Sequence, residues 1–403
     1  MSQSRYHIKR LLAIFNPKKL FRAVGDNRQK SKSKRSLSHI LQVIVEGFMS
    51  GIFHTRALEC FSESKGARIP YSSLVSILNK ADSQDLGAVL AKVVKEAHRD
   101  HVFTRSMTLP IMITAVDGKR TGGAKKKMTE HFVDDGNGKF YCKALRAALI
   151  SIETPVFLGQ HMLRADQGEP DQAVPFLANL IQEYGRTNLL HTFSLDAGFA
   201  SKKLVDFIAE NKYHYIQRIK GNQPTLHGLL EDLFTDSPIP LVTEHIKKSN
   251  KTVIRELYRI KLENGLGQWE HVQEAWYIKS TTTTHSSGAV ETLHKYYLTN
   301  LPPVTLNDDQ VLLATRSHWK IENNGFFTLD YTFKEDDLPL TNTAPEQVSL
   351  LRLIAYNFIA LGVEKKPQRR KRVLGIAEIM DMLLITFGRF DLEFPDRSCP
   401  AFL

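Results

Sequence analysis

An almost uninterrupted apolar run, Ile111-Met112-Ile113-Thr114-Ala115-Val116, follows Pro110 and stops on Asp117-Gly118-Lys119. Apolar residues at consecutive positions over this length suit a strand covered on both faces, or else a turn of buried helix. At the end of a central strand, an aspartate can be held rigidly where the sheet opens to solvent. The same Asp-Gly pair also reads as an ordinary turn. What decides between the two is whether other carboxylates reach the same place.

At 403 residues the chain is long enough for two or three units, and 42% hydrophobic with 24% charged residues describes a soluble globular protein. Cys60, Cys142 and Cys399 lie far apart, in no zinc spacing and no disulfide framework, which points to a reducing cytoplasm. The richest apolar stretch, residues 350–363, is short for a membrane span and contains Arg352, so it reads as a core helix and no membrane partner is expected. The net charge of +11 is concentrated: residues 1–36 hold eleven Lys or Arg against one acid, Asp26. A second basic knot gathers Lys365, Lys366, Arg369, Arg370, Lys371 and Arg372. Such runs favour polyanions, nucleic acid first, and equally describe solvated tails.

The chain divides by pattern into six stretches. Residues 1–36 form a basic, mobile arm, with Pro17 and the Ser/Lys-rich stretch 30–35 arguing against packing. Residues 37–105 show three helical stripes, a DNA-contacting module or a structural bundle. Residues 106–236 alternate strands and helices. Runs at 141–152 and 156–163 flank Glu153-Thr154-Pro155 as a hairpin, and a helix capped by Asp171 follows. A strand then ends on Asp196, a helix capped by Ser201 comes next, and a strand leads into Lys220-Gly221-Asn222-Gln223. Strand, helix, strand with short links implies a parallel pair in an α/β sheet. Earlier, after the strand that carries Asp117, Gly122-Gly123 and Lys125-Lys126-Lys127 read as a flexible basic loop. Residues 237–305 change texture to a mostly β insertion, helical spacing returns over 306–363, and 364–403 form a basic C-terminal segment.

Three acids now stand in relation. Asp117 and Asp196 each end an apolar strand of one sheet, and Glu322 lies on a later helix in Arg316-Ser317-His318-Trp319-Lys320-Ile321-Glu322-Asn323. Three converging carboxylates repel unless divalent cations neutralise them, and oxygen-rich sites suit Mg²⁺ or Mn²⁺. Two such ions can stabilise the attacking and leaving oxygens of a phosphoryl transfer.

On these residues the chain resembles the DDE transposases of bacterial insertion sequences, in the group that includes the H-repeat-associated proteins. The matching features are Val-Asp-Gly-Lys at 116–119, Leu-Asp-Ala at 195–197 and Lys-Gly-Asn-Gln-Pro-Thr-Leu-His at 220–227. His-Trp-Lys-Ile-Glu-Asn at 318–323, Leu-Asp at 329–330, Phe-Lys-Glu-Asp at 333–336 and Leu350-Leu351-Arg352 with Ile354, Ala355 and Asn357 continue the likeness, in the family's order over residues 38–363. The resemblance implies an α/β, ribonuclease H-like core with a β insertion before the Glu helix. It also implies metal-dependent DNA cutting and joining by Asp117, Asp196 and Glu322 with two Mg²⁺ ions, on element ends and target DNA, in at least a dimer on the bacterial nucleoid. The chain departs from the family at Arg120-Thr121-Gly122 and at Asn324-Gly325-Phe326-Phe327. Thr315, His318 and Leu329 stand where many relatives carry tyrosine, arginine and lysine, which puts the phosphate-contacting residues in question.

Lys119, Lys125, Lys126, Lys127, Lys220, Asn222 and His318 are the expected DNA or phosphate contacts. Lys220-Gly221-Asn222 also serves simply to turn strand into helix, and His318 also reads as an ordinary helix residue. Trp319 reads as core ahead of a base-stacking platform, Glu335-Asp336-Asp337 as a solvated acidic turn, and His98-Arg99-Asp100 as surface helix. Two rival functions remain: a catalytically silent DNA-binding descendant, and a ribonuclease H-like nuclease that cuts without joining.

Overall fold

The structure, a computed structural model, describes residues 17–26, 28, 33–66, 68–236, 239–336, 343–362 and 375–388. Ile113–Ala124 forms the central strand β1, in which Ile113, Thr114, Ala115 and Val116 are all buried. Both faces of the run are covered, which is why it carries no polar alternation. On one side β1 pairs antiparallel with β3 (Phe140–Leu149), which pairs antiparallel with β4 (Val156–Leu163). On the other side it pairs parallel with β5 (Thr192–Leu195), which pairs parallel with β6 (His214–Ile219). The order β4-β3-β1-β5-β6, with only β3 reversed, is the ribonuclease H-like arrangement.

Parallel neighbours need crossovers, and helices supply them. Glu169–Tyr184 joins β4 to β5, and Lys202–Glu210 joins β5 to β6. The Ser201 hydroxyl caps the second by accepting the Leu204 amide at 3.3 Å. The first begins at Glu169, with Gly168 at its N-cap, so Asp171 lies inside the first turn and does not cap it. β1 also runs further than the expected loop at Gly122-Gly123. The strand continues to Ala124 through a bulge between Thr121 and Gly123, with Gly122 at φ +61°. Glycine is suited to that left-handed position.

The β-rich stretch is continuous with the core sheet. After Pro224–Thr235, strands β7 (Val242–Lys247), β8 (Lys251–Lys261), β9 (Glu274–Thr284) and β10 (Val290–Thr299) form a meander, and β10 pairs antiparallel with β6. With the small strand β2 (Phe132–Asp134) on β3, one sheet holds ten strands among the described residues.

The longer helices are numbered in chain order. Four N-terminal ones, α1 (Leu37–Met49), α2 (Thr55–Ser64), α3 (Tyr71–Leu78) and α4 (Ser83–Arg99), precede the sheet. Those already described as Glu169–Tyr184, Lys202–Glu210 and Pro224–Thr235 are α5, α6 and α7. Asp308–Ser317 is α8, Pro345–Gly362 is α9 and Ile376–Gly388 is α10. Helix α9 is apolar nearly all round because α4, α1 and β4 enclose it. The N-terminal helices therefore share one core with the sheet. The expectation of a mobile arm through residue 36 is corrected: residues 17–23 form helical turns, and Leu20, Phe21 and Val24 are buried in that core. Residues 1–16 and the basic knot at 365–372 lie outside the described residues.

Candidate active site

The β1–β5 ladder closes at Val116 opposite Leu195, so the next residues on these parallel neighbours are Asp117 and Asp196. Adjacent strands place their backbones about 5 Å apart. On its other side Asp117 faces Arg146 of β3. Asp117 is not the last residue of its strand, as the sequence suggested, but marks where β5 stops and the sheet opens.

Glu322 comes from the far side. Helix α8 begins with a capping box between Asn307 and Gln310 and passes into a π-helical turn, Ile321–Phe326, on which Glu322 is exposed. Lys320 anchors that turn. Its ammonium donates to the carbonyls of Ile152 at 2.8 Å and Ile150 at 3.1 Å, at the end of β3. Burial pushes its pKa down to about 8.

The acids differ in charge state. Burial, then the like charge of Glu322, pushes the Asp117 carboxyl up to about 7. Asp196 and Glu169 add to this, against a 2.8 Å hydrogen bond from the Gly118 amide. Burial also acts upward on Asp196, but the Ala197 amide, Lys220 and Arg218 outweigh it and hold that carboxyl below its usual range. Arg218 Nη1 lies 3.3 Å and Lys220 Nζ 3.8 Å from its oxygens.

These acids offer oxygen donors alone, and their mutual repulsion is what a hard divalent cation relieves. Gly118 completes a cradle beside Asp117, since a Cβ there would meet the Glu169 carboxylate. The donor chemistry fits Mg²⁺ or Mn²⁺. The ligand shell is not closed in this arrangement: among the described residues no group of three or more His, Cys, Asp or Glu side chains is placed to hold a metal ion. Asp196 turns toward its two cations instead.

Several expected contacts are otherwise engaged. Lys119 is buried, with its ammonium 2.7 Å from Asp330 and 3.3 Å from Asp336, so it is not free to meet a phosphate. Asn222 donates to the Ala197 carbonyl at 2.8 Å, pinning the turn after Asp196. His318 is buried behind Asp196, with Nδ1 2.9 Å from the Ser194 hydroxyl and Nε2 without a hydrogen-bond partner. Burial pushes its pKa down to about 4, so it is a neutral ring at physiological pH and not a cationic phosphate donor. Lys220 is exposed, as are Lys125, Lys126 and Lys127.

Two further readings are corrected. Trp319 is 44% exposed, with the Lys295 ammonium 5.4 Å from its ring centre, and is not core. Glu335 is fully buried and takes two hydrogen bonds from Arg146, at 2.6 and 2.8 Å. Glu169, Arg218 and Lys320 were missed. An acid in a first helical turn, an arginine within a strand and a lysine on a helix are each too ordinary to stand out.

A family model described as the transposase DDE domain matches residues 109–358, well over half of the chain. A protein of Escherichia coli O157:H7 named "Putative transposase YncI" is 24% identical over 392 residues, covering 89% of this chain and 92% of its own length. Its namesake in Escherichia coli K12 is 27% identical over 224 residues, covering 52% of this chain and 79% of that protein. A piggyBac transposase synaptic complex with hairpin DNA aligns at a TM-score of 0.45 and 11% identity, over 92% of this chain and 77% of that one. No residue correspondence follows from so distant a likeness. The matched span encloses Asp117, Asp196 and Glu322, and the chain belongs to the DDE transposase family.

Proposed function

We propose that this transposase cuts DNA at the ends of a mobile element and joins the freed 3′ hydroxyl to target DNA, with Asp117, Asp196 and Glu322 as the catalytic acids. The observation that carries the reading is the end of the β1–β5 ladder, which sets Asp117 beside Asp196 within the family's domain, where burial and the charges of Glu322 and Asp196 push the Asp117 carboxyl up. Asp117, Asp196 and Glu322 would hold two Mg²⁺ or Mn²⁺ ions, which when bound lower the pKa of water and neutralise charge building on the phosphoryl group.

The protein's own part is placement. Lys320 ties the turn bearing Glu322 to the end of β3. Asn222 and Gln217 brace the turn after β5 through the carbonyls of Ala197 and Asp196, at 2.8 and 2.9 Å. Arg218 and Lys220 present positive charge beside Asp196, where a phosphate would replace the carboxylate as partner. Lys125, Lys126 and Lys127, exposed after the end of β1, would offer a further phosphate-contacting surface. Pairing two element ends calls for at least a dimer.

Asp117→Asn, Asp196→Asn and Glu322→Gln, made separately, test this with a nicked-end cleavage assay in Mg²⁺. Each should lose on the order of 10³-fold or more in cleavage. DNA binding without metal should hold or tighten, because a negative charge beside the backbone is gone. Near-normal cleavage by any well-folded variant would overturn the assignment. A substrate with a pre-cut 3′ end checks joining, and cutting without strand transfer would favour a nuclease.

A further inference from the structure

Glu169 opens α5 and lays its carboxylate against the backbone of β1 at Gly118. A Cβ built on Gly118 would stand 2.2 Å from Oε2, 2.4 Å from Oε1 and 2.3 Å from the carboxyl carbon of Glu169. A methyl group at 118 would therefore have to push the Glu169 carboxylate aside. Gly118 is not among the residues with positive φ, so it is the Glu169 carboxylate, and not backbone conformation, that a side chain here would disturb. Glycine at this position is what admits the carboxylate, one residue from Asp117.

Glu169 is half-buried, and among the described residues it makes no ion pair and no side-chain hydrogen bond. Several other acids of this region have basic partners: Asp196 has Arg218 and Lys220, Asp330 and Asp336 share Lys119, and Glu335 has Arg146. Glu169 has none, and its charge is among those that raise the Asp117 carboxyl. A half-buried carboxylate with no countercharge, lying against the backbone one residue from Asp117, is one that a cation would satisfy.

We propose that Glu169 is a fourth carboxylate of the metal site, an oxygen ligand to the ion that Asp117 holds. The inference rests on the metal-site reading above and deepens it. The competing role for Glu169 is that of an acid in a first helical turn, favourable to the helix dipole and indifferent to metal.

The test is Mn²⁺ binding to the full chain without DNA, by calorimetry, with thermal unfolding in EDTA and in Mg²⁺ alongside. Glu169→Gln should weaken Mn²⁺ affinity about 10-fold or more. In EDTA it should unfold at a higher temperature than the parent, since one repelling charge is removed, and it should gain less from added Mg²⁺. Gly118→Ala should weaken Mn²⁺ in the same direction with all four acids intact, by displacing the Glu169 carboxylate. If that variant misfolds, Glu169→Gln still decides the matter. Asp117→Asn is the control. Parental Mn²⁺ affinity in Glu169→Gln, with a lowered unfolding temperature and loss of binding in Asp117→Asn, overturns the inference alone. Parental affinity in both variants overturns the metal site itself.

Discussion

Asp117 gives the site a pH signature. Its carboxyl titrates near 7 in the folded chain against an ordinary value of 3.8. Between these values the folded state holds a proton that the unfolded state has lost, so its contribution to stability falls as pH rises through that window. At 1.36 kcal/mol per pH unit the loss by pH 7 is at most about 4 kcal/mol. Asp117→Asn removes it, so in EDTA the variant should gain unfolding temperature over the parent as pH rises from 4 to 7. A constant difference across that range would show that Asp117 is not held protonated. His318 works in the opposite sense. Its folded pKa of about 4 lies below the ordinary value of 6.5, so its contribution is present above 6.5 and is lost as pH falls toward 4. Comparing Asp117→Asn with the parent cancels that background. Elsewhere, Arg146 and Glu335 form a buried pair extended by Ser349 and Gln160, which bridges β3, β4 and α9. Glu335→Gln leaves the guanidinium buried without its countercharge, and denaturant unfolding should register a loss of about 3–5 kcal/mol.

The element that most shapes the site is the π-helical turn after α8. Such turns are uncommon and recur at functional sites, because one extra residue swings the following side chains round the axis. Here its packing is close. A Cβ on Gly325 would sit 3.0 Å from Phe157 Cζ, and Phe157 stacks on Phe326 with ring centres 6.2 Å apart. Phe157 is in turn fixed by Asn357, which accepts its amide at 2.9 Å and donates to its carbonyl at 2.7 Å. Residues remote from Glu322 thus set where its turn stands. Lys320→Met should reduce cleavage by about 10-fold or more with DNA affinity unchanged, since the turn loses its tie to Ile150 and Ile152. Two buried carbonyls also lose a donor, so a stability cost of about 1–3 kcal/mol should accompany it in thermal unfolding. Unaltered cleavage in this variant would show that the tie does not position Glu322.

At the scale of the whole molecule, the N-terminal helices and the sheet share a core, which limits what can be removed. Deleting residues 1–16 takes away Arg5, Lys9 and Arg10 and leaves Leu20, Phe21 and Val24 in place. Deleting residues 1–36 should lower the unfolding temperature by opening the pocket that Leu20, Phe21 and Val24 fill. If Lys125, Lys126 and Lys127 track the DNA backbone, replacing all three with alanine should flatten the plot of log affinity against log salt. The slope should change by about 0.9 for each phosphate that is no longer neutralised. An unchanged slope would place the DNA track elsewhere on the molecule. No described helix is long and apolar enough to cross a membrane.

Local pattern by itself determined the strand at 113–116, the hairpin of β3 and β4, the strand–helix–strand link from β5 to β6, and the acids at 117 and 196 that follow two of the apolar runs. Apolar spacing reports which face of an element is covered, and strand order in an α/β chain follows from connection lengths, so these features are written within a few tens of residues. Tertiary structure alone decided how the charged groups are paired. Lys119 meets Asp330, 211 residues away, and Arg146 meets Glu335, 189 residues away, leaving no local trace of either pairing. Glu169 reads as a common first-turn acid until α5 is laid across Gly118. His318 became a buried neutral ring and Trp319 an exposed one because successive residues of a helical turn point in different directions, and His318 is the one that faces Ser194 of β5. Burial and partner choice set the charge of each such group, and both depend on which distant surfaces the fold brings together.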